Sequence, residues 1–346
     1  MQSDTTRTVL VIEVGGTNLR AARFDLMDHA LSDRVHAASP NIFGDGGRRD
    51  ARVTLFRSLR AIGDDALRGG TPDVVAVAFP GPLAPGGVAL AAPTVLGRGV
   101  ALPVRRECEA LWPDASVFVL NDMTAAGYRY AHRGLRDFCI VTVGSGVGHK
   151  VFADGEPLLG RGGRGGEIGH LRVDWHPDAP VCDCGGRGHV GSIASGRGVV
   201  RAARVAAVHD PAGFGASALA AASPDPSRID SRALAEAFGT DDTWTHALVA
   251  SSVRPLGQAL AAIHLAVGVE RFVLVGGFAF ALGEPYRSML ADAADASSWE
   301  LGFGWDEAVT FGLQDDDQGM IGAGLFAARQ LGVAAARTLD NGTTIT

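Results

Sequence analysis

The sequence predicts an α/β protein divided into two domains. Three observations carry that expectation. The chain has 346 residues, more than a single hydrophobic core usually serves. Short apolar, β-branched runs alternate with stretches of helical periodicity. Three of those runs end in glycine-rich turns: Gly15-Gly16-Thr17, Gly144-Ser145-Gly146 and Gly276-Gly277. In α/β folds the carboxyl ends of strands are where ligands sit.

Taken in order, Val9–Val14 (VLVIEV) reads as a strand, and Arg20–Phe24 continues as a second strand after the glycine turn. Thr54–Arg68 is helical, with apolar residues at Leu55, Leu59, Ile62 and Ala66. Val74–Phe79 is a strand that stops at Pro80-Gly81-Pro82, and Val117–Leu120 is another, stopping at Asn121-Asp122. Met123–His132 reads as a helix with Asp122 near its N-terminus, where a carboxylate can act as a cap. Phe138–Val143 is a strand, and a glycine-rich loop follows over about 160–198. From Val199 the chain turns alanine-rich and helical, over Val199–Val208, Ser231–Phe238 and Asp242–Val267. Phe272–Val275 is a further strand, Ser288–Ala294 a helix, and Gly319–Leu331 a last helix rich in Gly and Ala.

Composition excludes several classes. Net charge is -7 and there is no basic block, which argues against nucleic acid as a partner. No apolar run reaches the roughly 18 residues of a membrane span. The N-terminus lacks the basic and apolar regions of a signal peptide. Four cysteines are no disulfide framework, and Cys108 and Cys139 stand apart as structural thiols. A reducing cytoplasm is the expected compartment. None of the glycine turns is a GxGxxG or GxxxxGK[ST] pattern, so a dinucleotide fold or P-loop is not expected.

One cluster stands out. His170, Cys182, Cys184 and His189 lie in the run GEIGHLRVDWHPDAPVCDCGGRGHVG. Two thiolates and two imidazoles suit a tetrahedral structural zinc site. The Cys-x-Cys gap is tighter than the usual spacing, and a glycine-rich turn with reduced thiols and solvated imidazoles fits the same residues. The turn Glu13-Val14-Gly15-Gly16-Thr17-Asn18 offers backbone N–H groups and a hydroxyl to phosphate oxygens, yet alone it reads equally as a plain hairpin.

The three turns together resemble the two phosphate segments and the adenosine segment of the actin-like ATPase (ribonuclease H-like) fold that hexokinases share. The centre is more specific. Gly166-Glu167-Ile168-Gly169-His170, then Cys182-Asp183-Cys184-Gly185-Gly186-Arg187-Gly188-His189, then Ala194-Ser195-Gly196 resemble the GExGH, CxCGxxGCxE and ASG elements of the ROK family, the bacterial sugar kinases and sugar-responsive repressors. The resemblance runs from Val9 to about Leu331.

It implies two α/β lobes with the ligand cleft between them: about 1–120 plus a C-terminal helix near 319–335, and 121–318 with the zinc-binding loop. It implies ATP, Mg2+ and a structural Zn2+ as cofactors, and a homodimer. Asp122 matches the catalytic base. Asn121, Glu167 and His170, with Gly81, match the acceptor-binding set. Gly15, Gly16, Thr17, Asn18, Gly144, Ser145 and Gly146 match the phosphate turns, and Gly276 and Gly277 the nucleotide side. His170, Cys182, Cys184 and His189 match the metal ligands.

Departures from that pattern carry information. His189 replaces the third cysteine, leaving Cys2His2, with His176 as a rival fourth ligand. Gly191 stands where the family has a glutamate that contacts hydroxyls around the anomeric carbon, which removes an acceptor and opens space. The expected acceptor is therefore a C7-cyclitol (valiolone-like) or a modified sugar, phosphorylated on a primary hydroxyl, with ordinary glucose as the alternative. Glu13 replaces the usual aspartate that acts through Mg2+, and Lys150, the only lysine, is expected at an exposed edge. A repressor would carry a helix-turn-helix of roughly 60–80 residues before the first turn, where only twelve residues precede Glu13. A non-catalytic sugar-binding protein is the other competing class, and Asp122 and the glycine turns argue against it.

Overall fold

The computed structural model describes residues 7–40, 47–97, 101–299 and 301–333. Two five-stranded sheets organise it. The first has strands β1 (Val9–Val14), β2 (Asn18–Phe24), β3 (Leu31–Ala38), β4 (Val74–Phe79) and β5 (Ser116–Asn121), in the order β3-β2-β1-β4-β5. The second has β6 (Phe138–Val143), β7 (Val147–Ala153), β8 (Glu156–Pro157), β9 (Phe272–Val275) and β10 (Val309–Phe311), in the order β8-β7-β6-β9-β10. Each sheet is a meander of three antiparallel strands continued by two parallel ones. The same pattern therefore occurs twice in one chain, and in both copies a glycine turn joins the first two strands of the meander.

Several elements escape the sequence reading, among them three strands of these sheets. β3 (LSDRVHAA) is half solvated, with alternating exposure along an edge. β7 carries polar residues at two successive positions, His149 and Lys150, both of them buried. β10 has only three residues. The exposed edge expected for Lys150 is not found: its side chain keeps 1% of its exposure and lies beside Glu167. The reason is position, because β7 is covered by helix on one face and by the glycine-rich loop at its end.

Helix α1 (Gly47–Leu67) lies under the first sheet, where Leu55, Leu59, Ile62 and Ala66 meet Leu10, Ile12, Val75 and Val77. The other face of that sheet and one face of the second share a single core. It is filled by helices α2 (Asp122–His132) and α6 (Gln318–Gln330), which contribute Met123, Ala125 and Tyr130, and Met320, Ala323 and Ala327. Their backbones meet at Gly322, where a Cβ would sit 1.7 Å from Ala125 O. The remaining face of the second sheet packs on α3 (Gly196–His209), α4 (Thr243–Val267), α5 (Gly277–Asp295) and the Ser231–Phe238 helix. The helix expected at Ser288–Ala294 is the second half of α5, which kinks at Gly283 before Pro285. Among the described residues no helix is long and apolar enough to cross a membrane.

Candidate functional site

Both sheets direct the carboxyl ends of their central strands into one cleft of about 380 Å³. Its wall includes Gly15, Gly16, Thr17 and Asn18 from the β1–β2 turn, Gly81 after β4, and Asn121 and Asp122 after β5. It also includes Gly144, Ser145 and Gly146 from the β6–β7 turn, Glu167 and His170 from the loop, and Gly276 and Gly277 after β9. Residues far apart in sequence meet here because each ends or begins an element of the duplicated topology.

Local chemistry sets each position. Asn121 caps α2: its Oδ1 accepts from Thr124 N at 3.0 Å, a bond type that stabilises a helix start by about 1 kcal/mol. The cap is therefore Asn121, and Asp122 is the first helical residue. Asn121 Nδ2 donates to Gly81 O at 3.0 Å and to Asp122 Oδ1 at 2.9 Å. Met123 N donates to the same Oδ1 at 2.8 Å. The Asp122 carboxylate is thus held through one oxygen, which leaves Oδ2 to take up a proton. Burial pushes this carboxyl above the ordinary aspartate range, opposed by the Met123 amide, the Lys150 ammonium and Asn121.

Two more acids face the cleft. Burial raises Glu13, on β1, to about 7 against the pull of Arg20, whose Nη1 stands 3.5 Å away. Burial likewise raises Glu167 to about 7, against the pull of Lys150. Glu13 Oε2 and Glu167 Oε1 are buried and accept no hydrogen bond. Buried polar atoms are almost always paired, so each marks a place where a ligand, water or cation completes the structure. For Glu13 this matches the donor chemistry of a Mg2+ ion or its waters.

The glycine turns are shaped for close approach. Gly15 N donates to Asn18 O at 2.9 Å, and Gly144 N donates to Gly146 O at 3.0 Å, closing both turns. Gly276 has φ 107° and abuts β6, so that a Cβ would lie 2.6 Å from Val143 O. Glycine alone meets both demands. Gly277 then opens α5, which runs 19 residues with a kink at Gly283, at the edge of the cleft.

The cysteine–histidine cluster forms as a unit beside the cleft. The ligand atoms of His170, Cys182, Cys184 and His189 all lie within 4.8 Å of one another. Cys182 Sγ is 3.6 Å from His170 Nδ1, and Cys184 Sγ is 3.3 Å from His189 Nδ1. Ordinary Zn–S and Zn–N bond lengths in a tetrahedron imply ligand separations of roughly 3.3–3.8 Å, so the donor set fits zinc in chemistry and these two pairs fit it in spacing. His176 stands outside the group, and its Nδ1 accepts from Asp178 N at 3.1 Å. His170 serves two sites at once, because it also lines the cleft.

Two cleft residues, Thr94 and Arg197, and Asp183 beside them gave no sequence signal of their own. Asp183, between the two cysteines, accepts from Arg197 Nη2 at 2.6 Å and from Thr94 Oγ1 at 3.3 Å. Arg197 Nε in turn donates to Ser145 O at 2.7 Å. This chain of bonds ties the cysteine loop to the Gly144–Gly146 turn and to the Pro93–Leu96 helix, which packs with the first sheet. Only the place of Asp183 inside Cys-x-Cys could have drawn attention to it.

Comparison with known proteins agrees with this geometry. The family model described as ROK family matches residues 9–330. A C(7)-cyclitol 7-kinase from Streptomyces hygroscopicus subsp. jinggangensis (strain 5008) is 39% identical over 340 residues, covering 95% of this chain and 96% of that protein. The crystal structure of a ROK hexokinase from Thermus thermophilus is 27% identical, with a TM-score of 0.67, over 94% of this chain and all of the other, 100%. A ROK family glucokinase from Streptomyces griseus, solved with glucose and AMPPNP, has a TM-score of 0.74 over 93% of this chain and 99% of its own; at 24% identity it bears on the fold alone.

Proposed function

The chain belongs to the ROK family, and from that premise we propose that this kinase moves the γ-phosphate of ATP to the primary exocyclic hydroxyl of a C7-cyclitol. One observation carries the phosphotransfer reading. A positioned carboxylate, Asp122, shares a cleft with three glycine-rich strand ends. Phosphoryl transfer asks for that combination, since its transition state is handled by alignment and charge neutralisation.

The reading assigns the residues as follows. Backbone N–H groups of the Gly15–Asn18 and Gly144–Gly146 turns hold phosphate oxygens. Gly276 and Gly277 leave room for the nucleoside. Glu167, His170, Asn121 and the Gly81 backbone orient the acceptor. Asp122 takes the proton of the acceptor hydroxyl as that oxygen bonds to the γ-phosphorus and the bond to the β-phosphate oxygen breaks, giving ADP. Its raised affinity for protons, caused by burial, suits a base that must accept one near neutral pH. Mg2+, when bound on the Glu13 side, neutralises charge on the transferred phosphate. Zinc, when bound by His170, Cys182, Cys184 and His189, braces the acceptor loop; with four protein ligands it has no open position for chemistry.

Two observations support a cyclitol over glucose. One is the 39% identity to a C(7)-cyclitol 7-kinase. The other is Gly191, which carries no acid; the open space expected there is not found, because a Cβ would already lie a tight 3.0 Å from Gly169 O. A cleft lacking that acidic group has lost one means of selecting a hexose by its hydroxyls. The protein works in a reducing cytoplasm, which keeps Cys182 and Cys184 available as ligands, and as a homodimer, in line with exposed Val205, Val208 and Leu265 on its alanine-rich helices.

Asp122→Asn tests the catalytic assignment. Phosphoryl transfer is expected to fall by about 10²- to 10⁴-fold, with acceptor binding by calorimetry retained. Unaltered turnover would remove Asp122 from the mechanism.

A further inference from the structure

Lys150 has no place in the steps above, yet its surroundings are unusual. Successive residues of a strand face opposite sides. Gly148, two positions earlier on β7, faces α2, since a Cβ there would lie 3.1 Å from Met123 Cγ. Lys150 rises on the same face. Its side chain keeps 1% of its exposure, and its Nζ donates to Gly165 O at 2.8 Å. The same Nζ stands 3.8 Å from Glu167 Oε1, beyond hydrogen-bond reach but within ion-pair range.

The loop is folded around this ammonium. Gly165 and Gly166 take φ values of 127° and 78°, and a Cβ on Gly166 would lie 2.5 Å from Nζ. Glu167 lines the cleft, whereas Lys150 does not. The Glu167 Oε1 atom is buried and has no hydrogen-bond donor. A buried ammonium is costly to remove from water unless a counter-charge faces it, and among the described residues Glu167 is the one carboxylate within ion-pair range.

We propose that Lys150 is a positioning residue for acceptor recognition: from behind the cleft wall it fixes the charge and aim of Glu167, which then accepts a hydrogen bond from one hydroxyl of the polyol. The inference rests on the reading that this cleft binds a polyol beside ATP. The acceptor hydroxyl bonds to the exposed part of the carboxylate, while the buried Oε1 stays turned towards the ammonium. Gly165 O anchors the ammonium so that it does not compete for that bond. The neighbouring Asp122 lies in the field of the same ammonium, which favours its ionised form. A hydroxyl placed against a charged, desolvated partner is strongly discriminated from its deoxy analogue.

Steady-state kinetics of Lys150→Met, Glu167→Gln and the double variant test this, with acceptor and ATP varied separately. Each single substitution is expected to raise the acceptor KM about 10- to 100-fold, the range of a lost hydrogen bond to a charged group. The KM for ATP should stay within about twofold. The acceptor KM of the double variant should match that of Glu167→Gln, because in acceptor binding the lysine acts through the glutamate. Losses that multiply in the double variant, or an equal rise in the KM for ATP, overturn the proposal. Should Lys150→Met fail to fold because it strands Glu167, the comparison of Glu167→Gln with the charge-free double variant still decides it: equal acceptor KM supports the role, and a further rise contradicts it. Failure of the wild-type chain to phosphorylate any polyol would instead sink the function itself.

Discussion

Glu13 joins burial to function at the scale of a single residue. It is the penultimate residue of β1, just before the Gly15-Gly16 turn, with one carboxylate oxygen buried and accepting no hydrogen bond. Burial raises its pKa from 4.5 to about 7. The folded protein therefore holds a proton there that the unfolded chain has lost between those two values. The associated stability is full below about pH 4.5 and is lost as pH rises through about 7. Glu13→Gln removes this dependence. Urea unfolding without nucleotide or Mg2+ at pH 5 and pH 7 should show the wild type losing stability relative to the variant, by at most about 1.4 kcal/mol per pH unit. A constant difference between the two proteins would mean that Glu13 is not buried as described. A cation held beside Glu13, as proposed for Mg2+, would supply the charge that burial denies the carboxylate.

At the scale of elements, the glycine-rich loop between β8 and α3 holds few regular elements and many glycines, so its shape depends on cross-links. The cysteine–histidine cluster is one, and the Thr94–Asp183–Arg197–Ser145 chain is another. Cys184→Ser should reduce bound zinc from roughly one ion per chain to near none, measured by metal analysis, because three ligands hold structural zinc far less well than four. The acceptor KM should rise with it, since Glu167 and His170 belong to the same loop, while the KM for ATP stays near its original value. A zinc-free variant with unchanged acceptor KM would separate the metal from recognition.

Legibility in the sequence also differed by element. Turns that need glycine announced themselves, as at Gly276, whose φ of 107° admits little else. The helices of the second half showed through their apolar spacing. β3 did not, because an edge strand needs only one buried face and this one is largely polar. β7 did not, because His149 and Lys150 break the alternation expected of a strand. Both are buried for reasons of the site: His149 Nδ1 accepts from Ile168 N at 3.1 Å, and Lys150 faces Glu167. The sequence thus pointed to residues that line the cleft while hiding the polar groups packed beneath them, since burial is a property of the assembled fold.

On the scale of the whole molecule, the two sheets repeat one topology, and α2 and α6 fill the core they share. Asp122 starts one of these helices, so the proposed catalytic carboxylate sits on the element that joins the halves. The helix pair depends on its small residues. Gly322→Val would drive side-chain atoms into the Ala125 carbonyl. We expect it to destabilise the protein by about 1–3 kcal/mol or more, read as a lower midpoint in urea, and to lower turnover by displacing Asp122. A variant of unchanged stability would show that the two helices are free to separate. Closure of the halves around acceptor and nucleotide would exclude water and so limit wasteful ATP hydrolysis.

The most direct test of the account is a coupled ADP-release assay with ATP and Mg2+ across C7-cyclitols, glucose, mannose, N-acetylmannosamine and amino-glucoses. The account predicts the highest kcat/KM for a C7-cyclitol, with the phosphate on its exocyclic primary hydroxyl. A higher kcat/KM for glucose would contradict it and make Gly191 a tolerated change in an ordinary glucokinase.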